Sequence, residues 1–206
     1  MKKLLKEFAL FRLNCGFTYL PVEEKDGCKY FCGQLVEDDK KKYSEGEGFL
    51  NVGYSFKNSP ARVLSNLYPM QFRFRGQKVN SIEGVLQSLK YKDKKTQKLV
   101  WKYSGLDAYH TRGCNEIDLW TDKCVLYWQV KAMDRQGEEY QTFLDELYLS
   151  VAKNPLYRRA LLATGDKYLL HHFGCEDKSK TVLTRFEYES RMFAVREFIK
   201  QKDREF

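Results

Sequence analysis

The sequence predicts a single globular domain that combines amphipathic helices with a few short strands. Its 206 residues, 43% of them hydrophobic, are enough for one well-filled core. Apolar residues recur at helical spacing in several segments, and one segment alternates apolar and polar residues as a half-buried strand does. We place an N-terminal extension or insert at residues 1–48 and the main domain at residues 49–206.

The first sixteen residues predict an amphipathic helix. Lys6, Glu7 and Arg12 interrupt the apolar run before it reaches the length of an export signal. No later stretch is apolar enough to span a membrane. We therefore expect a cytoplasmic protein without a membrane partner, in which the six cysteines are reduced thiols.

Short strands are predicted on both sides of residue 49. Residues 21–48, rich in Lys, Asp, Glu and Gly, indicate a strand pair or a loop insert. Residues 49–56 predict an aromatic-rich strand, and "QFRFRGQKVN" (71–80) predicts a half-buried strand with a tight turn. Residues 124–133 fit a strand or a buried helix, because periodicity alone does not separate the two.

Four further helices are predicted from apolar spacing and end signals. They are residues 81–92, residues 137–154, a short helix from Pro155 to Gly165, and residues 187–202. In the first of them Ser81 stands where an N-cap should, and Gly84 lies in the first turn. Glycine there costs up to about 1 kcal/mol relative to alanine, and it is typical of a place where another group approaches the backbone closely.

Three polar side chains follow one face of the first of these helices. Glu83, Gln87 and Lys90 are spaced i, i+4 and i+7, which places a carboxylate, an amide and an amine in a row. Such a row would suit a reacting centre in a cleft. The alternative, which composition alone favours, is the exposed polar face of an ordinary amphipathic helix.

The chain is basic, with 36 Lys and Arg against 28 Asp and Glu and a net charge of +8. This charge favours contact with phosphates, including those of DNA or RNA, through long-range attraction. A solvated surface is the other explanation, since acidic residues are interspersed with the basic ones. The sequence leaves the oligomeric state open.

A zinc site would require cysteines and histidines from two separate segments to meet in space. These are Cys28, Cys32, His171, His172 and Cys175. Their spacing is not that of a zinc knuckle. We therefore expect neither a metal nor an organic cofactor.

Residues 64–91, "LSNLYPMQFRFRGQKVNSIEGVLQSLKY", resemble the signature of the NADAR family, also called the YbiA-like family. The matching positions are Ser65, Asn66, Tyr68, Pro69, Gly76, Ser81, Glu83, Gln87 and Lys90. Residues 154–170 are similar to the family's Asn-Pro and Thr-Gly-Asp segment, and residues 192–198 to its closing helix. The resemblance implies an α+β, predominantly helical single domain with a few short strands, over residues 49–206.

The resemblance also implies an enzyme, an N-glycosidase. Substrates in the family include a phosphorylated riboflavin-pathway intermediate and ADP-ribose attached to guanine, and the positive charge favours the second, carried by nucleic acid. Glu83 and Lys90 take the catalytic positions. A carboxylate stabilises the oxocarbenium character that develops at ribose C1. An amine either adds to C1 of a ring-opened ribose as a Schiff-base nucleophile or holds a phosphate, and both roles stay open.

Contacts with this nucleotide or ADP-ribosyl substrate are expected from Asn66, Tyr68, Gln87, Arg62 and Asp166. Asn66 and Tyr68 lie in a segment that leads into a strand, where side chains can orient a ribose or a base. Arg62 is a candidate phosphate ligand. The alternative for the segment around Tyr68 is a plain turn with a buried ring.

The chain departs from the NADAR pattern in several places. Gly84 stands where the family usually has His, and His171 where it usually has an acidic residue. No counterpart of its Asp-x-x-Trp-Gly motif follows Asp177, and residues 186–189 replace Asn-x-Leu-Gly. An alternative function is therefore a non-catalytic member that binds an NAD-derived nucleotide or a partner protein. A third is a small nucleic-acid-binding protein with the same fold.

Overall fold

The computed structural model describes residues 2–57, 59–111 and 118–204, which form one domain of the predicted α+β class. Its helices are α1 (Lys2–Asn14), α2 (Ser59–Val63), α3 (Ile82–Ser88), α4 (Lys94–Val100), α5 (Gly105–His110), α6 (Asp118–Lys123), α7 (Glu138–Val151), α8 (Pro155–Leu162) and α9 (Arg185–Arg204). No helix in these ranges is long and apolar enough to cross a membrane.

The strands are short and form small sheets. They are β1 (Val22–Lys25), β2 (Cys28–Phe31), β3 (Gln34–Glu37), β4 (Glu45–Gly46), β5 (Phe49–Asn51), β6 (Phe72–Phe74), β7 (Gln77–Val79), β8 (Val125–Trp128), β9 (Lys131–Asp134) and β10 (Tyr168–Leu170). One sheet has the order β1-β2-β3 and is antiparallel. Residues 21–48 thus contribute a three-stranded sheet and β4, where a strand pair or a loop was expected.

A second sheet, of order β10-β5-β4, joins distant parts of the chain. β5 pairs with β4 antiparallel and with β10 in parallel. Because parallel strands run in the same direction, the loops that follow β5 and β10 leave the sheet at the same edge. This pairing therefore brings residues after Asn51 and after Leu170 together.

The hairpin predicted at residues 71–80 is confirmed as β6–β7. The residues of β6 are buried, exposed and buried in turn, as the alternation predicts. Arg75 and Gly76 connect the strands, and both have positive φ, 46° and 80°. Positive φ at both central residues is typical of a tight hairpin turn that follows the twist of the strands.

Residues 124–133, which fitted a strand or a helix, form a second hairpin, β8–β9. Its turn uses Gln129 and Val130 at φ values of 47° and 72°. Turns of this type usually contain Asn-Gly or Asp-Gly, so this segment carried no recognisable turn signal.

The first four predicted helices match α1, α3, α7 and α8 in place, and the last matches α9, with differences at the ends. The helix predicted at residues 81–92 already ends at Ser88. Lys90 N–H donates to Gln87 O at 3.2 Å, so the chain continues as a tight turn beyond the helix. α9 begins at Arg185, before the predicted residue 187.

α1 shares the main core with the rest of the domain. Phe8 is fully buried, and its ring centroid lies 5.4 Å from that of Phe198 in α9. Leu144 of α7 and Met192 of α9 are fully buried in the same cluster. Residues 2–14 therefore complete the core, while a domain boundary at residue 48 stays a prediction.

Replacing Phe8 by alanine should lower the free energy of unfolding by about 3–4 kcal/mol, since it leaves a cavity where a whole ring was buried. Leu13→Ala is the matched control, because Leu13 lies in the same helix and is 76% exposed. Its effect should stay within about 0.5 kcal/mol. Urea unfolding measures both, and equal small effects would mean that α1 does not pack on α9 in solution.

Candidate active site

The row of polar side chains on α3 and in the turn after it is buried. Ser81 caps the helix as predicted, with its Oγ accepting from Gly84 N–H at 2.9 Å. Every residue of α3 is buried, and the exposed fractions of Glu83, Gln87 and Lys90 are 9%, 4% and 9%. An exposed polar face is therefore the wrong explanation of the row.

The row lines a cavity of about 540 Å³. Its walls come from α3 and the turn after it, the loop after β5, the turn at residues 65–67, α5, and the segment between β10 and α9. Lining residues with polar or aromatic side chains include Tyr54, Asn66, Glu83, Gln87, Lys90, Tyr109, His171, Phe173 and Lys180. A volume between about 300 and 1,000 Å³ is typical of sites for small organic ligands.

Two of these walls result from the parallel pairing of β5 with β10. Residues 53–55 follow β5 and His171 directly follows β10, and both line the cavity. Val52 N–H donates to Leu170 O at 2.7 Å, which keeps the two chains together beyond the strands. The carboxyl ends of adjacent parallel strands are a common place for ligand binding in α/β sheets, and this small sheet has the same geometry.

Glu83 and Gln87 form a direct pair in the cavity wall. Gln87 Nε2 donates to Glu83 Oε1 at 2.7 Å across one helical turn. Gln87 Oε1 is buried and has no hydrogen-bond partner within the residues that the structure describes. Since an unpaired buried acceptor costs about 1–3 kcal/mol, a ligand that donates a hydrogen bond here would bind favourably.

Lys90 lies at the end of the row. Its Nζ is 5.5 Å from the ring centroid of Trp120, within the range of a cation–π contact. Lys90 is buried and lines the cavity. The contact with the indole ring therefore helps to hold its amine in the cavity wall.

Asn66 is joined to both α3 and α7. Its main-chain oxygen accepts from Glu83 N–H at 3.0 Å, and its Oδ1 accepts from the Tyr148 hydroxyl at 3.0 Å. The structure thus places Asn66 beside the row, as a lining residue of the same cavity.

Tyr68, Arg62 and Asp166 are not among the lining residues of the described cavity. Tyr68 is partly buried against the main core. Arg62 is exposed, and its guanidinium carbon lies 4.7 Å from the ring centroid of the lining residue Tyr54. Asp166 pairs with Lys200 at 2.8 Å and has a side chain that is 99% exposed. The structure therefore brings Arg62 to the rim and leaves Asp166 at the junction of α8 with α9.

His171 lines the cavity, although the sequence predicted no substrate contact for it. Its ring Nδ1 lies 3.1 Å from Val52 O, and its main-chain N–H donates to Glu189 Oε1 at 2.7 Å. Burial lowers the pKa of its imidazole. The available signal was its position in the sequence, directly after the block at residues 154–170 and where the NADAR pattern usually has an acidic residue.

His172, the next residue, has a different environment. It is buried, with Nδ1 3.0 Å from Asn51 Oδ1 and Nε2 3.1 Å from Glu37 Oε2, and so joins β3 to β5. Burial lowers its pKa to about 4 in spite of the Glu37 carboxylate. Burial alone would raise the pKa of Glu37, but hydrogen bonds from Lys29 and Lys42 outweigh it and hold the value at about 2.

The residues considered for zinc do not converge. Within the described ranges, no group of three or more His, Cys, Asp and Glu side chains could hold a metal ion. The cysteines in these ranges, Cys15, Cys28, Cys32, Cys124 and Cys175, are free thiols. Of the five zinc candidates, His171 and Cys175 line the cavity.

Gly84 is not among the lining residues of the cavity, and it lies where α3 packs tightly against the end of α4. A Cβ at this position would lie 3.1 Å from Val100 O and 3.3 Å from Trp101 Cα. Another part of the chain thus approaches the backbone closely at this glycine, as expected, and that part is the end of α4. The departure from the NADAR pattern at residue 84 consequently concerns the contact between α3 and α4.

The family described as Bacteriophage protein GP30.3 matches residues 58–197. The chain belongs to this family. The GP30.3 match covers about two thirds of the chain and includes α3 and His171. An uncharacterized 17.1 kDa protein in the Gp30-rIII intergenic region of Enterobacteria phage T4 is 28% identical over 131 residues, 63% of this chain and 85% of the phage protein. No solved structure matches the chain significantly.

Acidification from pH 7 to pH 4.5 should reduce the stability of the folded protein by roughly 2 kcal/mol. His171 and His172 have lowered pKa values in the folded state and a value near 6.5 when unfolded, so the unfolded chain binds more protons as the pH falls below about 6.5. Glu37 contributes only below about pH 4.5, because its lowered pKa matters when the unfolded carboxyl begins to protonate.

Urea unfolding at pH 7.5, 6.0 and 4.5 measures this loss. In His172→Gln the decrease between pH 7.5 and 4.5 should be smaller than in the parent, whereas His110→Gln, at an exposed position of α5, should retain the full decrease. Stability that is constant over this interval would contradict the lowered pKa values of the two histidines in the folded state.

Proposed function

We propose that the protein is an N-glycosidase that hydrolyses the bond between ribose C1′ of an ADP-ribose group and a nitrogen atom. The preferred substrate is ADP-ribose linked to guanine in nucleic acid. The observation that carries the proposal is the burial of Glu83, Gln87 and Lys90 in the wall of one cavity, at the positions that resemble the NADAR signature.

The Glu83 carboxylate stabilises the transition state. As the base leaves, positive charge develops on C1′ and the ring oxygen, and a nearby carboxylate lowers the energy of that charge. The N–H that Gln87 donates to Glu83 Oε1 holds the carboxylate in place. Gln87 Oε1 then accepts a hydrogen bond from a ribose hydroxyl, which removes the cost of an unpaired acceptor.

The charge around the site suits a phosphate-bearing substrate. Arg62 lies next to Tyr54 at the rim, and Lys180 is an exposed lining residue. Exposed lysines lie on α4 and on the residues that flank it, at positions 92, 94, 95, 98 and 102. A strand of DNA or RNA that carries the modified guanine would be attracted to this surface, and the attraction would weaken with salt.

The central test is release of ADP-ribose from an ADP-ribosylated guanine in a DNA oligonucleotide. Glu83→Gln should lower kcat at least 100-fold, because it removes the charge that stabilises C1′ while keeping the shape and a polar partner for Gln87. Glu139→Gln, at an exposed carboxylate of α7, is the matched control and should retain activity.

Equal release by the parent and Glu83→Gln would disprove the role of Glu83. No release by the parent, together with tight binding of ADP-ribose in calorimetry, would instead support the second candidate, a non-catalytic protein that binds an NAD-derived nucleotide. That candidate is favoured by the segment after Asp177, which lacks the Trp-Gly motif of the NADAR pattern yet supplies Lys180 and residues 181–183 to the cavity wall.

The role of Lys90 can be decided by trapping with borohydride during turnover. If its amine adds to C1′ of a ring-opened ribose, reduction of the imine gives a stable adduct on Lys90, and Lys90→Arg is inactive without an adduct. If the amine holds a phosphate, no adduct forms and Lys90→Arg keeps much of the activity, because a guanidinium also binds phosphate. Peptide mass spectrometry identifies the modified residue.

A further inference from the structure

The proposed reaction requires a second function that the row on α3 does not supply. A water molecule must lose a proton as it attacks C1′. The Gln87 amide is not basic, and Lys90 is assigned either to addition at C1′ or to a phosphate. Glu83 already accepts from Gln87 and is assigned to the positive charge at C1′. The base must therefore come from another part of the cavity wall.

His171 is held rigidly in that wall. Glu189 Oε1 accepts its main-chain N–H at 2.7 Å, and its ring lies 4.9 Å from the ring of Tyr188, centroid to centroid. Its Nδ1 lies 3.1 Å from Val52 O. A carbonyl oxygen can only accept, so Nδ1 carries the proton in the neutral ring and Nε2 carries the lone pair.

The surroundings keep this imidazole neutral near pH 7. Burial lowers its pKa, the hydrogen bond to Val52 opposes this, and the positive charge of Arg185 lowers the pKa further. Among the described residues, Glu189, which pairs with Arg185 at 2.7 Å, also lies beside it, as do the titratable residues Tyr188 and His172. A neutral imidazole with one free lone pair is the form that a general base requires.

We propose that His171 is the general base of this site and takes a proton from the attacking water on Nε2. The inference rests on the proposed function. The water oxygen forms the new bond to C1′ as the C1′–N bond breaks, and the electron pair of that bond leaves with the nitrogen of the base. The water proton passes to Nε2. The departing nitrogen then takes a proton from solvent, and the imidazolium returns its own to solvent.

The test compares His171→Asn with the parent in release of ADP-ribose from the same oligonucleotide. The asparagine amide can still donate to Val52 O, but it cannot take a proton. We expect kcat to fall about 100-fold with KM changed less than about threefold, in line with the usual contribution of a general base. His110→Asn, on the exposed side of α5, is the control and should behave as the parent.

Two further measurements separate catalysis from a structural role. Imidazole added to His171→Ala should restore activity in proportion to its concentration, and the decrease of kcat/KM that His171 causes at acid pH should be missing from His171→Asn. Parent-like kcat in His171→Asn, or a loss that imidazole does not restore while ADP-ribose still binds, would overturn the assignment. An inactive parent would instead count against the proposed function itself.

Discussion

The carboxylate of Glu189 is the interaction on which the site depends, because it joins the last helix to the strand that ends at the cavity. The residue is fully buried in α9. Its Oε1 accepts from His171 N–H and from Arg185 Nε, both at 2.7 Å, and its Oε2 accepts from the Tyr168 hydroxyl at 2.8 Å. Burial raises the pKa of Glu189, while Arg185 acts against that effect.

A buried ion pair of this kind is not by itself a source of stability, since the desolvation of both charges opposes their attraction. Its effect here is positional. β10 has three residues, so the hydrogen bonds of the strand itself are few and contacts from outside the strand help to hold it in the sheet. Glu189 binds the first residue of β10, Tyr168, and the residue that follows the strand, His171. The strand is thereby held parallel to β5, and the segments after the two strands lie side by side in the cavity wall.

Much of this arrangement could be predicted from local patterns. The cap at Ser81, the β6–β7 hairpin and α7 each follow from a few neighbouring residues, and the structure confirms them. Spacing alone could not predict whether the row on α3 is buried, because the spacing is the same for a buried and an exposed face. The resemblance at residues 64–91 favoured a site there, and burial against α4 and α5 shows that the row is inside.

Other features could not be predicted, because they depend on contacts between distant residues. The pairing of β5 with β10 joins segments far apart in the chain, and neither strand has more than three residues. His171 enters the cavity only through that pairing. The turn at Gln129 and Val130 could not be predicted for a different reason, since the residues that usually mark such a turn are absent.

The two departures at residues 84 and 171 differ in their physical consequences. At Gly84 a side chain would meet the backbone of α4, so the glycine permits the contact that buries the row. At His171 an imidazole with a lowered pKa stands where the NADAR pattern has an acid, so the wall carries one negative charge fewer. Together with Lys90 and Lys180, this favours a ligand that brings its own negative charge, as a diphosphate does. In the proposed reaction, a neutral side chain at position 171 also adds no second carboxylate that would compete with Glu83 for the positive charge on the ribose.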